Sequence, residues 1–369
     1  MTAGTYGQVH RTLLLAAVVL HATAIETRAD GMAELVAAAR KEGTVNTIAL
    51  PRDWCGYGKV IARFTAKYGI AVNELDPAEP ADAIAVLRAA EGNTADVPDV
   101  IDVGLSAGPS AKAEGLLEPY KVATWSSIPD ALKDADGSWH GNYFGVVAFE
   151  VNTDIVKTLP ADWSDLLKSE YRNSVALAGN PLTSNQAIQS IHAAGIGAGG
   201  EAGVEAAAAG LGFFAKLRKV GNLVPAAGTA TSLAEGTTPI VIRWDYNALA
   251  DRLSLKGRTG VAVVIPRSGA VGQHYIMAVT AAAPHPNAAR LLLEYMSSDE
   301  GQLGWLAGNC HPVRYRDLVR RGKIPQGLAA RLPPADAYDN VIFPPLDRQA
   351  AAKDLITRRW NDVVGVDIE

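Results

Sequence analysis

Apolar and polar residues alternate along the first third of the chain as short apolar strands separated by amphipathic helices. Asp30 is a suitable N-cap for the opening helix, and Gly43 is placed to end it. The pattern then predicts three strands, at 45–50, 70–73 and 100–103. Two helices are predicted between them, at 59–68 and 80–91. Strands that alternate with helices in this way are typical of a parallel sheet built from βαβ units.

The same alternation begins again after a long strand with aromatic and β-branched residues at 143–151. It predicts strands at 175–177, 240–244 and 260–265 and helices at 162–167, 184–192, 202–220, 287–296, 299–306 and 350–360. We therefore expect an α/β fold of two lobes, each a mainly parallel sheet flanked by helices, joined by crossing strands near 144–151 and 261–266. The expected boundaries are 30–147 together with 266–369 for lobe 1, which is discontinuous, and 148–265 for lobe 2.

The first 29 residues have the pattern of a targeting segment. A weakly basic start precedes an apolar run at 13–20, and small residues that suit cleavage follow, ending at Ala24 or at Ala29. These are the three parts of a secretory signal peptide. The apolar run is shorter than the roughly 20 residues that span a bilayer, and the alternative is a buried first helix. We expect residues 1–29 to be a signal peptide and the mature protein to be periplasmic.

Composition narrows the class of protein. The chain has 369 residues, of which 48% are apolar and 20% charged, as in globular proteins with a sizeable core. A net charge of -5 without a basic stripe argues against nucleic-acid binding. The two cysteines, Cys55 and Cys310, suit an exported protein, but the sequence leaves a disulfide and two buried thiols equally open.

Two glycine-containing motifs resemble catalytic or cofactor sites. Residues 104–108 read GLSAG and follow a strand, as the nucleophile elbow of a serine hydrolase does, with Ser106 as the nucleophile. The helix after this motif is too short for such an elbow, so the hydrolase is the alternative class and a binding protein is favoured. Residues 195–200 read GIGAGG but follow a helix, which predicts a helix–helix connector and no dinucleotide site.

Three clusters of aromatic and polar residues lie where ligands bind in open α/β sheets, beyond the carboxyl ends of strands. One contains Trp54 and Tyr57, whose rings form either a ligand-facing wall or a small satellite core. Another contains Thr183, Ser184 and Asn185 at a helix start, where hydroxyls and free N–H groups suit an anion or simply cap the helix. The last contains Trp244, Asp245 and Tyr246, where Asp245 either caps a helix or faces an ammonium group beside the aromatic rings.

The mature chain resembles the extracellular solute-binding proteins of ABC importers, in the group that includes polyamine, iron(III), thiamine and 2-aminoethylphosphonate receptors. The resemblance rests on DVIDV at 99–103, AEGLLEP at 113–119, PHPNAAR at 284–290 and SDEGQ at 298–302. It implies a two-lobed type II periplasmic-binding-protein fold that closes over a ligand by hinge bending. It also implies two partners, an inner-membrane permease and its cytoplasmic ATPase, for a binding protein without catalytic residues, metal or cofactor, which we expect to be a monomer.

The resemblance is less specific about the ligand. The spacing of Trp54 and Tyr57 is similar to the loop with which polyamine receptors sandwich an amine, but the acidic residues of those receptors are replaced near 183–185. Iron(III) receptors commonly use adjacent tyrosines, which are absent from the sequence. We expect a small amine-bearing zwitterion, such as an aminophosphonate, with its amine near Trp54, Tyr57 and Asp245 and its anion near 183–185. Polyamines, thiamine and iron(III) are the alternatives.

Overall fold

One long strand runs through both halves of the molecule and organises its sheet. The computed structural model describes residues 30–48, 52, 54–75, 80–89 and 97–369, and the expected signal peptide lies outside these residues. The strands are β1 Thr44–Ile48, β2 Ala71–Leu75, β3 Val100–Gly104, β4 Leu117–Glu118, β5 His140–Asn152, β6 Val175–Leu177, β7 Ile240–Trp244, β8 Val261–Val264, β9 Gly272–Thr280 and β10 His311–Pro312.

Helices flank these strands, as the sequence predicts for an α/β protein. They are α1 30–42, α2 Tyr57–Tyr68, α3 Pro80–Ala89, α4 Ala107–Ala113, α5 Asn185–Gly197, α6 Val204–Lys219, α7 Ala230–Glu235, α8 Asp245–Ser254, α9 Pro286–Ser297, α10 Asp299–Ala307, α11 Tyr315–Arg320, α12 Gln326–Ala329 and α13 Leu346–Val363. Short 3-10 helices lie at Trp54–Gly56, Trp125–Ser127, Asp130–Leu132, Trp163–Leu167, Ser169–Tyr171 and Ala335–Tyr338.

The strand order is β2-β1-β3-β9-β5-β7-β6. Strands joined by βαβ units pair in parallel, namely β1 with β2 and β3, and β6 with β7. The long strand β5 pairs with β9 through its first part and with β7 and β8 through its second part, all in antiparallel fashion. The chain returns from β8 to β9 through residues 265–271. The connection between the two halves therefore consists of β5 and this return segment.

Glycines allow two helices of the second half to pack closely. A Cβ atom at Gly195 of α5 would lie 1.6 Å from the Ala206 carbonyl oxygen, and one at Gly210 of α6 would lie 2.0 Å from the Ile191 carbonyl oxygen. Only glycine permits such an approach of one backbone to another. The glycine-rich run at 195–200 thus serves as a helix–helix connector, which confirms its interpretation from the sequence.

The motifs that carried the family resemblance form part of the scaffold. The buried Asp99 carboxylate accepts hydrogen bonds from the Asn46 backbone N–H at 2.6 Å, the His285 backbone N–H at 2.6 Å and the His285 ring at 2.9 Å. Thr280 donates to the Pro98 carbonyl at 2.6 Å. These bonds join β1, β3 and β9 to the start of α9 at the amino end of β3, whereas Gly104 at the carboxyl end of β3 lines the cavity described below.

The C-terminal helix α13 packs along α6 and also contacts α5. The expected domain boundaries assign this segment to lobe 1, whereas its contacts are with helices of the expected lobe 2. The boundaries themselves stay a prediction. None of the helices in the described part of the chain is long and apolar enough to cross a membrane.

Candidate functional site

The loop that carries Trp54 is fixed covalently. Cys55 and Cys310 form a disulfide across 255 residues of sequence, which resolves the alternative that the sequence left open. Cys55 has a φ of 49°, a left-handed conformation that is unusual for a residue with a side chain. The backbone also passes close to α10, since a Cβ at Gly308 would lie 1.9 Å from the Cys55 carbonyl oxygen. The loop is therefore held at one defined position against α10.

Trp54 is the centre of an aromatic wall built from both halves of the sheet. Its ring lies 5.3 Å from Tyr246 and 6.1 Å from Tyr275, both as edge-to-face contacts. Its Nε1–H donates to the Tyr143 hydroxyl at 3.0 Å. Tyr143 in turn stacks on Tyr275 with a centroid distance of 5.1 Å. We call Trp54, Tyr143, Tyr246 and Tyr275 the aromatic wall. Trp244 packs behind it, 6.5 Å from Tyr246.

Tyr57 lies in the core, separate from this wall. Its side chain is completely buried, and its ring stacks on Trp305 at 5.7 Å. Burial raises the pKa of its hydroxyl well above the usual value. The sequence left open whether the rings of this cluster face a ligand or form a small satellite core. The structure places Trp54 at the aromatic wall and Tyr57 in the packing beneath it.

Asp245 is also buried, and its carboxylate is occupied by the protein. Oδ1 accepts from the backbone N–H groups of Val146 and Tyr246, each at 2.9 Å. Oδ2 accepts from the Tyr338 hydroxyl at 2.9 Å and lies 3.3 Å from Nδ1 of His311. Asp245 therefore joins the start of α8 to β5, β10 and the segment after α12. Asp245 has a structural role in this position. Its buried carboxylate does not face an ammonium group, as the sequence led us to expect.

The cluster at 183–185 occupies the start of α5 and is accessible. Ser184 is the N-cap, and its hydroxyl accepts from the Ala187 N–H at 3.4 Å. Thr183 and Asn185 are exposed. Asn185 donates to Gln273 Oε1 at 2.7 Å, which connects α5 to the first residues of β9. Capping and a ligand-facing position thus coexist within three residues.

A cavity of about 420 Å³ opens between these elements. Its wall includes Tyr275 of the aromatic wall and residues after β3, at the start of α5, at the start of β9 and on α13. The polar side chains that line it are, besides His274, Ser106, Asn185, Gln189, Gln273, Gln349 and Lys353. None of the lining residues is acidic.

Two buried polar atoms belong to side chains that line this cavity. Gln189 Oε1 and His274 Nε2 are buried and have no hydrogen-bond partner among the described residues, although both side chains line the cavity. Burial lowers the pKa of His274 to about 4, so this ring is neutral at physiological pH. Buried polar groups nearly always have a hydrogen-bond partner in native proteins. A bound polar solute is one way to supply a partner for these two atoms.

Sequence reasoning missed most of this lining. Ser106 follows β3 at its carboxyl end, so the rule that located the other clusters also indicates a ligand contact there. Gln349 and Lys353 carry no local signal, because they reach the cavity only through the packing of α13 on α5 and α6. Lys353 is exposed and forms no ion pair within the described part of the chain.

The hydrolase alternative finds no support in the geometry. Ser106 Oγ forms no hydrogen bond to a histidine in the described structure. Its helix α4 has 7 residues, as short as the sequence predicts.

Arg243, beside the third cluster, pairs with Glu150 at 3.2 Å and with Asp251, and it is largely buried.

Comparison with known proteins agrees with this architecture. Residues 95–328, more than half of the chain, match the model of a family described as bacterial extracellular solute-binding protein. A curated relative from Salmonella typhimurium, named as a candidate 2-aminoethylphosphonate-binding periplasmic protein, is 25% identical over 253 residues, which are 65% of this chain and 68% of the relative.

Solved structures share the fold at lower identity. An extracellular solute-binding protein candidate from Bordetella parapertussis superposes with a TM-score of 0.71 at 18% identity, covering 88% of this chain and 99% of that one. Iron-bound HitA from Pseudomonas aeruginosa superposes with a TM-score of 0.63 at 17% identity, covering 85% and 98%. The match to the family model itself covers more than half of the chain. The chain therefore belongs to the family of bacterial extracellular solute-binding proteins, the solute-binding components of ABC importers.

Proposed function

We propose that this protein captures a small amine-bearing zwitterion of the aminophosphonate class in the periplasm and delivers it, without catalysis, to an ABC permease and its ATPase. One observation carries this proposal. The cavity lining combines hydrogen-bond donors and one lysine with Tyr275 of the aromatic wall, and it contains no carboxylate.

The hydrogen-bond donors of the cavity lining suit an anion. The start of α5 presents backbone N–H groups and a partial positive charge. Ser106, Asn185 and Lys353 add donors around it, and the lysine is free of an acidic partner in the described part of the chain. A phosphonate or phosphate group takes such a set of donors well, since charge-assisted hydrogen bonds are the strong ones.

Tyr275, with the rest of the aromatic wall behind it, suits an ammonium group. Cations bind over the faces of Trp and Tyr rings within about 6 Å of the centroid. A polyamine, with cations at both ends, would place one of them beside Lys353, where like charges repel. The relative named for 2-aminoethylphosphonate agrees with this polarity.

A binding screen tests the proposal. Purified mature protein is titrated with 2-aminoethylphosphonate, putrescine, spermidine, thiamine and iron(III), and its melting temperature is recorded. A ligand at 100 times its dissociation constant adds about 2.7 kcal/mol to the free energy of unfolding, which moves the melting temperature visibly. We expect the aminophosphonate to produce the largest shift, whereas a shift with polyamines alone would contradict the proposed polarity.

Lysine variants then locate the anion. We expect Lys353→Ala to weaken aminophosphonate binding about tenfold or more, because a charged hydrogen-bond donor contributes about 1.5–3 kcal/mol. Lys323→Ala is the matched control, since Lys323 is exposed and outside the cavity lining. Equal affinities for the two variants in calorimetry would remove Lys353 from the site.

A further inference from the structure

A buried carboxyl group lies behind the aromatic wall, and the proposed ligand contacts leave it unused. Asp102 of β3 is only 1% exposed. Its Oδ2 accepts from Asn142 Nδ2 at 2.9 Å, while its Oδ1 has no hydrogen-bond partner among the described residues. Burial raises the pKa of Asp102 to about 8, against the opposing effects of Asn142 and Tyr143. No cation contributes to that shift.

Hydrogen bonds and ring contacts connect this carboxyl group to the cavity. The Tyr143 hydroxyl accepts from Trp54 Nε1–H at 3.0 Å, and Tyr143 also lowers the pKa of Asp102. Tyr143 stacks on Tyr275, and Tyr275 lines the cavity. Burial first, and then the charge of Asp102, raises the pKa of Tyr275. A charge on Asp102 is therefore felt at the wall where we place the ammonium group.

Among the described residues, no other ionised group contributes to the pKa of Asp102. Tyr57 of α2, Tyr143 of β5 and Tyr275 of β9 face it, and burial raises the pKa of each hydroxyl, so all three are neutral. Asn142 of β5 supplies an amide. Arg52 and Glu74 act on Tyr57 and do not contribute to the shift at Asp102.

We propose that Asp102 is the counter-charge for the ligand's ammonium group, and that seating this group at the aromatic wall expels the Asp102 proton to solvent. The proposal rests on the proposed function. In the empty protein the neutral acid avoids an uncompensated buried charge, which is costly. A cation nearby stabilises the carboxylate, so the O–H bond of Asp102 ionises and the proton leaves to bulk water. Asp102 acts through Tyr143, Trp54 and Tyr275 and is a positioning residue.

This arrangement selects for a cation without placing a carboxylate in the cavity. An anion that lacks an amine meets a neutral site and gains nothing from Asp102. A ligand with an amine gains the attraction of a charge created by its own arrival. We expect the gain to be on the order of tenfold in affinity, from the Coulomb energy of two charges separated by the thickness of a ring in a medium of intermediate polarity.

Titration calorimetry in buffers of different ionisation enthalpy measures the protons released on binding. The ligands are 2-aminoethylphosphonate and ethylphosphonate, which share the phosphonate but differ in the amine. The phosphonate of 2-aminoethylphosphonate is the stronger acid, because its ammonium group stabilises the dianion. The protons that each ligand itself releases are therefore calculated from its own titration curve and subtracted before the two are compared. At neutral pH we expect 2-aminoethylphosphonate to release up to one proton more than ethylphosphonate. This comparison uses only the natural protein, so it does not depend on a variant that folds.

Variants then assign the extra proton. Asp102→Asn should abolish the difference between the two ligands and weaken 2-aminoethylphosphonate roughly tenfold, with ethylphosphonate little changed. Glu150→Gln is the matched control, because Glu150 is another buried acid whose pKa burial raises, to about 7, and it lies outside the cavity lining. This control should keep the difference.

The possible results separate the two proposals. Tight binding of 2-aminoethylphosphonate with no extra proton overturns the role of Asp102 and leaves the proposed function standing. An extra proton that persists in Asp102→Asn also overturns it, since another group must then be the source. No binding of 2-aminoethylphosphonate overturns the proposed function, and the role of Asp102 falls with it.

Discussion

The β6–α5 and β7–α8 junctions both place a polar residue at a helix start, but in opposite environments. At the β7–α8 junction, Trp244, Asp245 and Tyr246 are all buried, and Asp245 binds the crossing strand through Val146 N–H. At the β6–α5 junction, Thr183 and Asn185 are exposed, and Asn185 lines the cavity. Both carry a polar residue at a helix start. Only the second leaves that residue available to a solute.

Sheet order explains the difference. β7 lies beside β5, so the helix after it begins against the strand that joins the two halves. β6 is at the end of the strand order, with β7 as its neighbour, and the helix after it begins against β7, where Gln186 Oε1 accepts from the Trp244 N–H at 2.7 Å. We call β7–α8 the inner junction and β6–α5 the outer junction. Polar side chains at the inner junction connect the two halves, and those at the outer junction can bind a solute. Gly145 of β5 makes the inner packing possible, since a Cβ there would lie 2.3 Å from the Tyr246 ring.

The largest expected effect is a loss of stability at the inner junction. Asp245→Ala should lower the free energy of unfolding by about 3 kcal/mol or more, because it leaves the Val146 N–H and the Tyr338 hydroxyl buried without an acceptor. Denaturant titration followed by circular dichroism measures this. Asn185→Ala is the control and should leave the midpoint nearly unchanged. Equal losses for the two variants would contradict the contrast between the junctions.

We also expect the stability of the region beside the inner junction to depend on pH. Burial raises the pKa of Glu150, which pairs with Arg243 of β7, from 4.5 to about 7. The native state therefore binds more protons than the unfolded state between these values, and its stability falls as the pH rises through this range. The loss should reach about 3 kcal/mol above pH 7.

Comparison with Glu150→Gln isolates this effect. Buried His140, His192 and His274, whose pKa values burial lowers to about 4, reduce stability as the pH falls below 6.5 in both proteins. The difference between natural protein and variant should thus grow on going from about pH 5 to pH 8. A difference independent of pH would mean that Glu150 is ionised throughout.

At the outer junction the expected effect is on binding. Asn185→Ala should weaken the aminophosphonate about tenfold while leaving stability nearly unchanged, because the amide is exposed and its loss removes one donor to an anion. Thr183→Ala is the matched control, since the Thr183 hydroxyl forms no hydrogen bond in the described structure and lies outside the cavity lining. Calorimetric affinities that fall equally in both variants would show a general disturbance of the helix start.

The smallest expected effect is on the cap of α5. Ser184→Ala should lower the free energy of unfolding by about 0.5–1 kcal/mol, typical of a lost N-cap. The low end is expected because the bond to Ala187 N–H, at 3.4 Å, is long. Ser184→Asn, which restores an acceptor, should recover most of the loss. A loss as large as that of Asp245→Ala would mean that the two junctions are energetically alike.

Most of the fold follows from local pattern, and the site follows only in part. Alternating apolar segments gave β1 to β3 and α5 to α6 close to their observed bounds, since hydrophobic periodicity and helix caps act over a few residues. Trp54 and Asn185 were located because each follows a strand at its carboxyl end. Burial of Tyr57 and Asp245 depends on partners such as Trp305 and Tyr338, which are far away in sequence. The position of Lys353 depends likewise on how α13 packs.

The disulfide between Cys55 and Cys310 bears on the order in which the protein matures. The chain has two cysteines, so oxidation within one molecule has a single product and needs no reshuffling. Cys310 follows its partner by 255 residues, so this link forms only after most of the chain has emerged into an oxidising compartment. Closing a loop of that length removes about 5 kcal/mol of chain entropy from the unfolded state. Oxidation thus favours the folded receptor at the last stage of its maturation, once it has been exported.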